Sequence, residues 1–197
     1  MTRLAVFGYG SLASSGSAGL SLGREVEHAA IVRLAGWRRR WNVYRDNRAV
    51  EKTFALADGT LPPFVVGLNI EHDPSCEGAN GVLIELTEDE ADRLDLREMR
   101  YDRVDATADV RPLGDGPPPP DFDQVIVYTA KPVHHAPETP PGAIVIAEYL
   151  RTVVAAFDAL GPGQLELFWE TTDPPPVEPS EATLVKDRIP EGNPRGW

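Results

Sequence analysis

Sulfur is scarce in this chain: one cysteine, Cys76, and two methionines. A lone cysteine has no intrachain partner, which excludes a disulfide framework and makes a reducing compartment its simplest setting. Long apolar runs are missing too. The first spans residues 4–7, far short of a signal-peptide core, and none approaches membrane-spanning length, so a cytoplasmic protein with no membrane attachment is expected. Positive charge is in deficit, with 19 Lys and Arg against 31 Asp and Glu and a formal net charge of -12. A surface of that sign repels polyanions, which argues against nucleic acid as a partner. The local exception is Trp37-Arg38-Arg39-Arg40-Trp41, where basic and aromatic residues interleave. On a strand it places Trp37, Arg39 and Trp41 on one face, with the tryptophans packed inward, and leaves the arginines to snorkel or pair with the excess acids.

Proline is abundant, at 19 residues, and clusters at 117–120 and 174–179, where it marks loops. A chain of 197 residues can close one sizeable core and is short for two. The expected organisation is one domain over residues 1–170 with a proline-rich tail over 171–197 packed on it. Strands are predicted at 4–7, at 65–70, 81–86 and 125–129, and over 29–44 as one strand or a hairpin broken near Gly36. Val104, Ala106, Ala108 and Val110 alternate with polar residues and predict one half-buried strand. Thr87-Glu88-Asp89-Glu90 is a capping box that starts a short helix. Ile146, Leu150, Val153, Val154, Phe157 and Leu160 recur at helical spacing, and Gly161-Pro162 ends that helix. Residues 164–170 read as a short helix or strand, and 46–57 resist assignment. Mixed order without regular strand-helix alternation predicts an α+β fold: a small mixed β-barrel flanked by one long and one short helix, with an extended proline-rich tail.

The chain is organised around residues 4–12, an apolar strand that stops in Gly8-Tyr9-Gly10-Ser11. Two glycines around one residue let successive N–H groups converge on one point, as in loops that hold carboxylates or oxyanions. Gly8, Gly10 and Ala13 also fit the G-x-G-x-x-A dinucleotide fingerprint, with Glu27 near the spacing of its ribose-binding acid. That fingerprint requires a helix, and Ser14-Ser15-Gly16-Ser17-Ala18-Gly19 carries no helical apolar stripe. Further along, Glu98 shares its parity with Val104 and Ala106, which points its carboxylate inward if the extended register has begun by then. Glu98 otherwise reads as one half of a surface ion pair with Arg97 or Arg100.

Phe7-Gly8-Tyr9-Gly10-Ser11-Leu12, then Gly81-Val82-Leu83, then Leu94-Asp95 with Glu98 and Tyr101, then Tyr128, resemble in this order the gamma-glutamylcyclotransferase-like family. The resemblance covers most of residues 4–160. It implies a small mixed β-barrel and an intramolecular acyl transfer, in which the α-amino group of a γ-glutamyl amine or peptide attacks its own γ-carbonyl and releases 5-oxoproline. It implies Glu98 as catalytic acid/base, residues 6–11 (Val6, Phe7, Gly8, Tyr9, Gly10, Ser11) with Leu12 as the substrate-binding loop, and Tyr149 as a substrate contact. It implies a small-molecule γ-glutamyl substrate and no metal or cofactor. Leu12 stands where some members have asparagine and Met99 where many have glycine. A monomer or a homodimer both fit.

Other readings of the same residues differ. Tyr101, Tyr128 and Tyr149 can be core residues with satisfied hydroxyls. His134-His135 suggests a metal site, yet adjacent histidines point apart on a strand and no ligand spacing accompanies them. Ser11 lacks the G-x-S-x-G elbow of a nucleophile. The alternative to an enzyme is a non-catalytic module that keeps the loop and binds a small carboxylate or a protein.

Overall fold

Leu4–Gly8 is apolar at every position and buried throughout, as a strand covered on both faces must be. The structure is a computed structural model and describes residues 2–114 and 116–189; the end of the expected tail, 190–197, lies outside them. In chain order come β1 (Leu4–Gly8), α1 (Ser15–Leu22), β2 (Ala30–Leu34), β3 (Trp37–Asp46), β4 (Lys52–Leu56), β5 (Phe64–His72) and β6 (Ala79–Leu86). There follow α2 (Glu88–Arg97), β7 (Tyr101–Asp105), β8 (Val110–Pro112), β9 (Gln124–Ala130), β10 (Ala143–Ile144), α3 (Ala147–Ala159), α4 (Gln164–Glu170) and β11 (Ala182–Asp187).

The α+β assignment holds, but the strands do not close into a barrel. They form a six-stranded sheet ordered β7-β9-β1-β6-β2-β8, a three-stranded sheet β10-β5-β3 and a pair β11-β4. Between the two larger sheets, side chains stand in for a ladder. Asn69 of β5 accepts the Ala130 N–H of β9 at 2.8 Å, and Tyr101 of β7 donates to the Leu68 carbonyl of β5 at 2.8 Å. These contacts leave a seam between the sheets.

Four α-helices stand among the described residues where two were expected, and α1 corrects a reading of the sequence. Ser14 caps it by accepting the Ser17 N–H, Gly23 ends it at φ 74, and Ala18, Ser21 and Leu22 are buried. Capping and packing against α2 override the poor propensity of its glycines. A helix therefore does follow the glycine turn. Topology removes the dinucleotide reading instead: β2 pairs with β6 and not with β1, so no parallel βαβ unit forms there.

The predicted break at Gly36 is real, with φ 74, but β2 and β3 join different sheets and are no hairpin. The alternating stretch 104–110 is also two strands. Asp105 accepts the backbone N–H and hydroxyl of Thr107, which turns Thr107–Asp109 into a single 3-10 turn between β7 and β8. The capping box of Thr87 and Glu90 is formed as predicted. In β3 the outward arginines meet acids, Arg38 on Asp173 and Arg40 on Glu71, Asp73 and Asp173.

Arg39 turns inward and is fully buried without a carboxylate partner among the described residues. It donates from Nε to the Tyr9 carbonyl at 2.8 Å, from Nη1 to the Thr171 hydroxyl at 2.9 Å, and from Nη2 to the carbonyl and amide oxygens of Asn80. The rings of Phe157 and Phe168 lie 4.7 and 4.8 Å from its Cζ. The residues after α4 dock here as well. The Arg39 N–H donates to the Thr171 carbonyl and the Asp173 N–H to the Arg39 carbonyl, each at 3.0 Å.

Arg39→Met keeps the bulk but strands these acceptors in a dry interior, where one lost partner costs about 1–3 kcal/mol. We expect a stability loss of at least about 2 kcal/mol in urea denaturation. Wild-type stability in the variant would show that the acceptors find other donors.

Candidate active site

The site opens at the seam. An inner cavity of about 40 Å³ is lined by Phe7, Tyr9, Gly10, Ser11, Leu12, Leu68, Glu98, Tyr101, Tyr128 and Tyr149. An outer one of about 160 Å³ shares Ser11, Glu98, Tyr101 and Tyr149 with it and continues outward past Arg97, Arg100, Glu51, Lys52 and Arg45. Of the residues singled out in the sequence, Phe7, Tyr9, Gly10, Ser11, Leu12, Glu98 and Tyr149 meet at the inner cavity. Val6 and Gly8 do not line it. Val6 is packed between Ile84 and Ile126 in the sheet, and Gly8 lies against Val82 and the Leu12 backbone.

Glu98 reaches the cavity by a route other than strand parity. It is the C-cap of α2, at φ -86 and ψ 37, and its N–H still donates to the Leu94 carbonyl at 2.7 Å. The end of a helix aims it inward, three residues before β7 begins. The ion-pair reading also holds, though not at the surface: Arg97 Nε lies 3.1 Å from Glu98 Oε1, with the two side chains only 6% and 18% exposed. Arg97 is clamped from behind by the hydroxyls of Ser11, at 3.0 Å, and Ser21. Burial raises the Glu98 pKa above the ordinary glutamate value, while Arg97 and then Arg100 pull it back.

Four tyrosines surround the carboxylate. Tyr9 donates to the Tyr128 carbonyl at 2.8 Å, Tyr101 to the Leu68 carbonyl at 2.8 Å, and Tyr128 to Asp95 at 2.6 Å. Tyr149, edge-on to Trp41 at 6.1 Å, is the one whose hydroxyl has no hydrogen bond among the described residues. Burial, and next the Glu98 charge, push its pKa up, so it is a neutral donor at physiological pH. Met99, 37% exposed, lines neither cavity. His135 is engaged with Glu71 at 2.8 Å and Asn42 at 3.0 Å, away from the site. Ser11 Oγ accepts from the Arg97 guanidinium, and among the described residues no base takes the Ser11 proton.

No family model and no curated protein matches this sequence. Solved structures do match. A structure titled "Gamma-glutamyl cyclotransferase" superposes with a TM-score of 0.58 over 91% of this chain and 94% of that one, at 13% identity. An uncharacterized protein from Homo sapiens gives 0.61 over 92% and 94%, also at 13% identity. YkqA from Bacillus subtilis gives 0.51 at 16% identity, over 84% of this chain and 52% of its own length. The chain has the gamma-glutamyl cyclotransferase fold.

Within this cyclotransferase fold, sequence reasoning missed Arg45, Glu51 and Lys52 on the outer cavity. The strand parity that turned Trp37, Arg39 and Trp41 inward continues to Arg45 and could have found it. No such signal marked Glu51 or Lys52. No helix among the described residues is long and apolar enough to cross a membrane.

At Gly10, with φ -130 and ψ -129, space is one reason for a glycine. A Cβ there would sit 3.3 Å from the Tyr149 hydroxyl and 3.7 Å from a Leu68 methyl. Gly10→Ala should therefore melt lower by about 2–4 °C, as about 1 kcal/mol of overpacking gives in a chain of this size. Tyr149→Phe in the Gly10→Ala background removes the crowding oxygen and should recover most of that loss. Additive losses in the double variant would refute the contact.

Proposed function

We propose that this chain is a gamma-glutamylcyclotransferase-like enzyme that releases 5-oxoproline from a γ-glutamyl amine or peptide, with Glu98 as general acid/base. The observation that carries the reading is the meeting of Glu98 with the glycine loop and Tyr149 around one buried cavity. The shared fold supports it. A binding module would need the loop but not a buried carboxylate beside it.

In this reading the α-amino nitrogen forms a bond to the γ-carbonyl carbon, and the bond from that carbon to the departing nitrogen breaks. The attacking nitrogen sheds two protons between ammonium and lactam N–H, and the departing nitrogen gains two on its way to an ammonium. Glu98 collects protons on one side of the tetrahedral centre and returns them on the other, which needs one carboxylate within reach of both nitrogens. Its raised pKa shortens the gap between a base and an acid of useful strength. The N–H groups of the turn at Gly10 to Leu12 and the Tyr149 hydroxyl would hold the substrate carboxylate or the oxyanion. Ser11 would position Arg97 and not attack.

The direct test is incubation with a panel of γ-glutamyl compounds, with 5-oxoproline as the readout. Glu98→Gln should abolish turnover with its melting temperature retained, since the amide keeps the shape and takes no proton. Ser11→Ala removes one hydrogen bond and should cost no more than about tenfold. A dead serine variant beside an active glutamine variant would overturn the mechanism.

The pH profile provides a second test. A base must be ionised, so kcat/KM should fall on acidification through a pKa above the ordinary glutamate value of 4.5. Arg97 holds that pKa down, so Arg97→Met should move the acidic limb to higher pH. A limb that stays or moves to lower pH would remove Glu98 as the titrating group.

A further inference from the structure

The outer cavity carries more than the proposed reaction centre needs. Its wall is cationic in a protein whose net charge is -12. Two cations are already matched: Arg97 with Glu98, and Arg100 with both oxygens of Glu51 at 2.8 and 2.9 Å. Lys52 faces Asp187 across 3.7 Å. Arg45 is different. It donates to the Lys52 carbonyl at 2.8 Å and its Cζ lies 5.1 Å from the Phe54 ring, but no carboxylate lies within 4.0 Å of it among the described residues. Burial and neighbouring Arg100 lower its pKa to about 10, so it stays charged at neutral pH in surroundings that favour an anion. Beside it, Arg100 Nε is buried and finds no acceptor among the described residues. A half-buried cation on a cavity wall with no carboxylate against it suits an oxygen anion.

Another part of the lining is aliphatic and comes partly from the end of the described chain. After β11, the Arg188 N–H donates to the Glu51 carbonyl at 2.8 Å, which holds the segment against β4, and Ile189 then faces the cavity with Val65 and Ile146. A ligand portion that suits both parts has a short aliphatic body and a carboxylate.

We propose that Arg45 and Ile189 select the unit released from the γ-glutamyl group, Arg45 by binding a carboxylate on it and Ile189 by packing a short aliphatic side chain. This rests on the cyclotransferase reading, and it places the glutamyl part at the inner cavity and the departing amine in the outer one.

The test compares γ-glutamylvaline with γ-glutamylisobutylamine, which lacks only the carboxylate, by kcat/KM for 5-oxoproline release. Wild type should favour the valine conjugate by about tenfold or more, as a charge-assisted hydrogen bond gives. Arg45→Met should bring the ratio close to one. Ile189→Glu, at the chain's outer edge, introduces repulsion without touching the core and should lower the same ratio. A wild type without preference, or a ratio unmoved in both variants while turnover persists, overturns the selection. Absence of 5-oxoproline from both conjugates overturns the cyclotransferase reading and this inference with it.

Discussion

A buried guanidinium with no carboxylate partner among the described residues is the constraint on which the rest of this structure depends. Removing a charge from water is tolerated only when every part of it is re-solvated by the protein. Arg39 meets that demand with oxygens from Tyr9, Asn80 and Thr171 and with two phenylalanine rings. Burial lowers its pKa to about 9, which still leaves it charged at neutral pH. The acceptors come from the glycine loop, from β6 and from the residues after α4, so satisfying one charge fixes three distant segments. It also orients the loop. In a planar trans peptide the carbonyl and the next N–H point opposite ways, so a Tyr9 carbonyl turned toward Arg39 turns the Gly10 N–H away from it.

The second organising feature is the seam between the two larger sheets. Backbone groups at a sheet edge must find partners, and here Asn69 and Tyr101 supply side-chain substitutes. A ladder would bring the strands to about 5 Å and close the space between them. Side-chain bridges hold them further apart, and the cavities occupy that gap, with Leu68, Tyr101 and the glycine loop around them.

How much of this could be read from the sequence follows the range of the forces involved. The Thr87 capping box and the Gly161-Pro162 stop are set by neighbours a few residues apart, and both were legible. The α1 helix was not, because Ala18, Ser21 and Leu22 become a buried stripe only when α2 lies beside them. Glu98 was assigned inward on strand parity, yet it is a helix cap that does the aiming. In β4, Lys52 and Thr53 are buried although polar, so hydrophobic pattern had nothing to report there. The glycine loop was legible from its spacing as an anion site, while its substrate-binding role and the acid/base role of Glu98 came from the resemblance to a family. Strand parity could have turned Arg45 inward, but Ile189 belongs to no local motif, and only the assembled lining brings the two together.

The electrostatics of the site centre on a balance at Glu98. At Glu98, burial raises the pKa above the ordinary glutamate value and two arginines partly offset that rise. Arg97 could tip that balance by closing fully on the carboxylate, but its guanidinium is shared with the hydroxyls of Ser11 and Ser21. Arg100 could tip it too, and it is engaged by both oxygens of Glu51. Arg97 thus divides its donors between Glu98 and the two serines, while Arg100 is matched to Glu51 and acts on Glu98 through its charge alone. In the proposed reaction a raised pKa would help one carboxylate serve two nitrogens in turn, because it narrows the gap between a useful base and a useful acid.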